Sequence, residues 1–294
     1  MKKSLLIGST ISLMISSNAF ALVDYSESSS DSSTAPQNKS VQKMSRPASS
    51  PGSKSLTWKS DFSFSSNYES MEIEGAKYGV INFGTHIQTP MNVYLDASYW
   101  RASGDEGSNN GNPKIILGFN WLRFGSPSDE AKLDIYGGMK LSSNSKLASS
   151  RTDKIVGAET TKRFGTFGLG LGYDMTITGT PKNSADQSIG NINRLTVSGG
   201  WMVSQDIQFE IEAENFTINP SKDSQASNQL KEKVSFSTLS PKLNLSLAPA
   251  VNLELGARFR MKKAKSEANL MTAKVFDLHG ANTNSLFAGL NVTL

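Results

Sequence analysis

The chain of 294 residues contains no cysteine. Disulfides, thiolate metal sites and a lipid-modified N-terminal cysteine are therefore excluded together. Only two histidines occur, His86 and His279. There is no metal-ligand cluster and no phosphate-cradling loop, since the glycines between Gly165 and Gly172 alternate within a strand pattern. No cofactor and no metal is expected. Long apolar runs are also missing: the one from Leu5 to about Ile15 is too short to span a bilayer as a helix, and no other stretch comes closer. A large excess of charge of one sign is missing as well. The formal net charge of +4 falls to about +2 without Lys2 and Lys3, too near balance for a nucleic-acid binder.

What is present begins with Met1-Lys2-Lys3, the short apolar run and Ala19-Phe20-Ala21. These are the parts of a secretory signal peptide over residues 1–21, with cleavage expected after Ala21. Residues 22–54 are rich in Ser, with Asp, Lys, Gln and Pro and almost nothing apolar. Such a segment buries too little apolar surface to offset its ordering entropy, so a disordered tail or linker is expected, with a plug or a contact site as the other possibilities.

From residue 55 to 294 the texture is period-two alternation. Leu56, Trp58, Phe62 and Phe64 share one face of a first strand. Gly79, Ile81, Phe83 and Ile87 form a second such row, and Met91, Val93, Leu95, Ala97 and Tyr99 a third, with Trp100 on the polar face. Ile115 to Trp121 and Leu133 to Leu141 follow. The region from Asp153 to Thr178 reads as two strands joined at Lys162 to Gly165, the second with Phe167, Leu169, Leu171 and Tyr173 outward and Gly168, Gly170 and Gly172 opposite. Leu195 to Val203, Ile207 to Ala213, Leu243 to Leu247 and Val251 to Met261 continue the series. Val234 and Phe236 fall out of phase with Leu243, which predicts a bulge near Ser240-Pro241. The closing strand is Ser285 to Leu294; its start is open, and Val275 to Leu278 are candidates for it. Its apolar face, Leu286, Ala288, Leu290, Val292 and Leu294, can be laid antiparallel beside the first strand, which would remove both sheet edges.

The count is about twelve strands, each near the length a tilted strand needs to cross a bilayer, with connections alternating short and long. With the signal peptide, the alternating strands and the closing strand Ser285 to Leu294, the sequence resembles the Gram-negative outer-membrane β-barrels, porin-like in pattern, as a class and not as one family. The closing strand is similar to the assembly signal with which such barrels end, although Leu294 stands where they usually have Phe or Trp. The resemblance implies an all-β, closed, antiparallel up-and-down transmembrane barrel, both termini periplasmic, located in the outer membrane among its lipids and assembled by the barrel-assembly machinery through Ser285 to Leu294. A soluble β-sandwich or barrel is the competing fold. Trp58, Trp121 and Trp201 lie on apolar faces near the short-turn ends, where a membrane boundary favours them.

If the apolar faces meet lipid, the lumen receives Asp61, Asp96, Asp134, Asp174, Glu210, Glu212, Glu214 and Glu254, with Lys59, Lys114, Lys140, Arg194, Lys242, Arg258, Arg260 and Lys262. The candidates for selectivity are Asp61, Asp96, Asp134, Glu210, Glu212, Glu214, Arg194, Arg258, Arg260 and Lys262. Either these charges pair and fill a narrow barrel, or an acidic row (Glu210, Glu212, Glu214) faces a basic row (Arg258, Arg260, Lys262) across water and orients small polar solutes. The preferred reading is a narrow channel. The alternative is a structural or surface-interaction barrel whose long loops, Ser103 to Asn112 and Asn219 to Lys233, meet outside partners. A hydrolase is third: neither histidine sits in a recognisable nucleophile motif, and no catalytic residue is assigned. Solute and oligomeric state are not legible.

Overall fold

A computed structural model describes residues 61–294, apart from 74–75, 106, 127, 184–185, 222, 224–227, 263–269, 271–272 and 282–283. The signal peptide, the Ser-rich segment, Leu56, Trp58 and Lys59 lie outside the described residues. The strands are β1 (Asp61–Ile73), β2 (Ala76–Gln88), β3 (Val93–Gly104), β4 (Gly107–Asn110), β5 (Lys114–Phe124), β6 (Ala131–Lys140), β7 (Asp153–Phe164), β8 (Phe167–Ile177), β9 (Ile192–Met202), β10 (Ile207–Ile218), β11 (Val234–Ala248), β12 (Val251–Lys262) and β13 (Ser285–Thr293).

Twelve of them pair in chain order, antiparallel throughout, while β4 is a short hairpin arm on β3. The ring closes where β1 meets β13, from Ser63 opposite Thr293 to Ser70 opposite Leu286. Even-numbered residues oppose even-numbered ones along this seam, so the lipid-side rows of both strands are continuous and the twelve-stranded ring has no open edge. Leu294 N–H donates to Phe62 O at 2.8 Å, which places both ends of the barrel chain at the rim that carries the short turns.

The alternation read from the sequence is resolved in favour of the membrane. Leu117 is 58% exposed and Leu286 70%, whereas Glu214 is 2% exposed. A soluble barrel has the opposite arrangement, because apolar side chains seek the core and charges seek water. Large apolar residues outward and charges inward is the arrangement of a barrel whose outer solvent is lipid. No helix among the described residues is long and apolar enough to cross a membrane.

Three local expectations are corrected. The first strand extends well past its apolar row: β1 runs on to Ile73 and β2 begins at Ala76, so residues 65–73 are strand. The β10–β11 ladder runs in unbroken register through Pro241, opposite Ile211. On its other side β11 pairs with β12 at Leu239 and again at Lys242 without change of register, and the shifts fall at Ser237/Thr238 and Ser246/Ala248 instead. Val234 and Phe236 are not out of phase; they point inward, where an apolar cluster receives them. Val275 to Leu278 belong to the β12–β13 loop and not to the closing strand, which starts at Ser285. The turn between β7 and β8 is Gly165-Thr166, and the positive φ of Gly165 (62°) is a conformation a side chain disfavours.

The interior is layered along its axis. At the loop end, Ile192, Phe216, Ile218 and Phe236 on the wall pack against Leu270 and Val275 of the β12–β13 loop. Phe216 and Phe236 stack with ring centroids 4.9 Å apart. A second inward cluster joins Tyr78, Val80, Trp100 and Ala102 to Leu147 and Phe276. Nearer the middle, Tyr94, Ile116, Tyr136 and Ile155 form a girdle. The Tyr94 ring lies over Gly118 and the Tyr136 ring over Gly157, so closely that a Cβ at either glycine would collide with it.

Candidate functional site

The lumen is built by the even-numbered residues of β10, β11 and β12 and their counterparts around the ring. In β10 the inward side chains are Glu210, Glu212 and Glu214, and the outward ones Phe209, Ile211 and Ala213. Lys242, on the neighbouring β11, brings Nζ to 3.6 Å from Glu210 and 3.2 Å from Glu212. Arg194 on β9 brings Nε to 2.5 Å from Asp174 and Nη1 to 3.3 Å from Glu214. Arg258 is turned away from the acidic row, its Nη1 2.5 Å from Glu69 on β1. The charges therefore meet along the wall, each with a neighbour, as groups removed from bulk water require.

The β12–β13 loop crosses the loop end of the lumen and is held on several sides. Asp277 accepts from Lys140 Nζ at 3.2 Å, and Lys140 also reaches Asp153 at 2.9 Å. Lys140 belongs to β6, five strands round the ring from β13. His279 Nδ1 is 2.8 Å from Glu214. Arg151, itself paired with Asp153, donates to Ala273 O at 2.8 Å. Arg260 donates Nε–H to Gly280 O at 2.6 Å and a second hydrogen bond to Ala281 O. Lys274 Nζ lies 2.8 Å from Asp186 in the β8–β9 loop. Burial opposes ionisation of Asp186, yet the ammonium of Lys274 and the donors of Ser150 hold its carboxyl below the usual carboxylate range.

Beneath the loop is a cavity of about 60 Å³, open on one side, lined by Lys114, Lys140, Arg194, Asp174, Asp277 and His279 on its polar side. Ile116, Ile155, Ile192, Phe216 and Leu278 supply its apolar side. Towards the short-turn rim the lumen is acidic instead. Asp96 is 2.6 Å from His86 Nδ1, and Asp134 accepts from Asn120 Nδ2 at 2.7 Å. Asp134 also stands opposite Glu159 across the β6–β7 pair.

Among the selectivity candidates, Glu210, Glu212, Glu214, Arg194 and Arg258 are buried or half-buried in the wall network. Asp96 and Asp134 line the acidic half. Arg260 is a loop clamp, Lys262 lies exposed at the end of β12, and Asp61 begins β1 with its side chain outside the described residues. Trp121 and Trp201 project outward at the short-turn ends of β5 and β9. Reading the sequence missed Glu69, because the first strand was ended too soon, and Glu159, although its spacing from Gly157 and Thr161 carries the alternation. It also missed that Glu212, Glu214 and His279 bring their ligand atoms within 4.8 Å of one another. With Lys242 and Arg194 on the two carboxylates, that group reads as a node of the ion-pair network.

No family model matches the sequence, and no curated protein matches it. Among solved structures, an outer membrane channel from Pseudomonas putida F1 superposes with a TM-score of 0.58 at 10% identity, covering 84% of this chain and 100% of its own. The NanC porin gives a TM-score of 0.52 at 8% identity over 79% of this chain and 100% of its own. At such identities the likeness establishes the fold of an outer-membrane β-barrel. The outer membrane phospholipase A of Escherichia coli aligns with a TM-score of 0.41 at 12% identity over 83% of this chain and 93% of its own, too low to argue from.

Proposed function

We propose that this barrel is an outer-membrane channel, not an enzyme, passing small polar or charged solutes through a narrow, mixed-charge lumen, with the β12–β13 loop as its constriction. The observation that carries this reading is a closed ring of twelve strands with charged side chains on its inner face and a partly open cavity. The likeness to the Pseudomonas putida channel and to the NanC porin supports it. In the same proposal residues 1–21 direct export, and the rim with the short turns faces the periplasm. The barrel-assembly machinery recognises Ser285 to Leu294. A lumen of this size is decided by how its side chains fill it and not by strand number alone.

Reconstitution of the full chain, folded in detergent, into planar bilayers tests the channel. Discrete conductance steps are expected. Protein that is heat-modifiable, hence folded, and still gives no conductance overturns the channel. That result would leave the second reading, a structural or surface-interaction barrel with a filled lumen, which the packing of Leu270, Val275 and Phe276 of the β12–β13 loop on the inward clusters favours.

A further inference from the structure

Lys114 and Lys140 stand directly opposite each other on β5 and β6, and both line the cavity beneath the β12–β13 loop. Like charges at opposed positions of an antiparallel pair repel, because their Cβ atoms are about 5 Å apart. Lys140 is compensated by Asp153 and Asp277. Lys114 makes no ion pair among the described residues. The other charges of the cavity are matched: Arg194 with Asp174 and Glu214, His279 with Glu214. Lys114 is thus the cation lining the cavity that no carboxylate meets directly among the described residues.

We infer that this cavity binds a small amphipathic monocarboxylate, its headgroup at Lys114 and its body against the apolar side formed by Ile116, Ile155, Ile192 and Phe216. The inference deepens the channel reading, on which it rests for the route by which the solute arrives. A single ammonium without a direct partner matches a single carboxylate headgroup. A doubly charged phosphate would also meet Asp174 and Asp277 in the same space, and a neutral sugar would leave Lys114 unanswered against an apolar wall. The axial layering adds direction. The lysines lie towards the loop end, while Asp134 and Glu159, opposed on β6 and β7, lie towards the short-turn rim. An anion coming from the loop end is held at the lysines before it meets the carboxylates.

The test is calorimetric titration of the folded full chain in detergent with benzoate, hexanoate, inorganic phosphate and glucose, on the wild type, Lys114→Gln and Lys114→Arg. Saturable binding of benzoate and hexanoate is expected, with phosphate and glucose silent. Losing a charge-assisted hydrogen bond should weaken binding about tenfold or more in Lys114→Gln, whereas Lys114→Arg retains it. Lys114→Gln removes a repulsive neighbour of Lys140, so it should unfold no earlier than the wild type, which keeps the comparison interpretable. Equal binding by wild type and Lys114→Gln, or binding of phosphate or glucose as strongly as benzoate, overturns the site. Binding needs no conductance: carboxylate binding by a protein silent in bilayers would uphold the site and refute the channel, and conductance without carboxylate binding would do the reverse.

Discussion

Arg258 and Glu69 form an ion pair at 2.5 Å although the strands that carry them, β12 and β1, are not neighbours. The closing strand β13 runs between them, and from it the Ser285 hydroxyl donates to the same carboxylate. Phe287, on the same strand, lies with its ring 4.8 Å from the Arg258 guanidinium. The pair therefore spans the seam on its lumenal side, fastening the two strands that flank the last one.

Breaking this fastening from one side should be severe. Glu69→Gln or Arg258→Met leaves the other group buried without its partner, a loss of about 3–5 kcal/mol. The double variant should recover part of that loss, because neither charge is then stranded. Urea unfolding in detergent micelles, read by the heat-modifiable band shift, measures it; single variants indistinguishable from wild type would show that the pair does not hold the seam.

Removing Asn291 to Leu294 deletes the pairing of β13 with Ser63 to Ser65 on one side and with Val251 and Asn252 on the other. Two strand edges would then be open at the short-turn rim, in a medium that cannot satisfy them. The truncated chain should fail to give a stable membrane-inserted species. Recovery of a heat-modifiable band from it would show those residues to be dispensable.

Changing Glu210, Glu212 and Glu214 together to Gln strips the acidic row while Lys242 and Arg194 keep their charge. Reversal potentials under a salt gradient should move towards anion selectivity relative to wild type. An unchanged potential in a variant that still conducts would place the row away from the conducting path.

The Asp186–Lys274 contact gives the loop end a pH dependence of known sign. The folded-state pKa of Asp186 is depressed, so its contribution to stability is present above the ordinary carboxylate value, about 3.9, and is lost as pH falls through the lower folded value. Ser150, Asp186 and Lys274 join three different loops. Acidification below that range should therefore raise amide exchange in these loops before it affects the strands, and Asp186→Asn should show the faster exchange already at neutral pH. Uniform exchange of loops and strands across the same range would refute the assignment.

Much of the fold was legible because lipid outside and water inside impose opposite preferences on successive residues. Phe167, Leu169 and Leu171 against Gly168, Gly170 and Gly172 state the two faces outright, and the register of β13 on β1 follows from the parity of their apolar rows. The same rule misleads where the lumen itself is apolar. Val234 and Phe236 looked like a shifted lipid row, yet they face inward to a cluster that the β12–β13 loop completes. The alternation of Trp100 placed it on the polar face, but only the fold shows that Tyr78 and Leu147 await it there. The partners of the lumenal charges were hidden for a related reason. Glu69 meets Arg258 from a distance of 189 positions, and His279 and Asp277 reach the wall from a loop whose course no local pattern dictates.

That loop has a consequence for how the molecule is put together. It leaves β12 and returns in β13, the strand that closes the ring, yet it is anchored to Lys140 on the far wall. The contacts of Asp277 with Lys140 and of Ala273 with Arg151 come within reach only when the sheet has curled, and they tie the chain just ahead of β13 to the far wall. The loop is a crossbar: it obstructs the mouth of the finished barrel, and while the barrel is forming it acts as a tie that favours the cylinder over an open sheet. Mutations that unseat it should therefore register twice, in the permeability of the barrels that form and in the number that form at all.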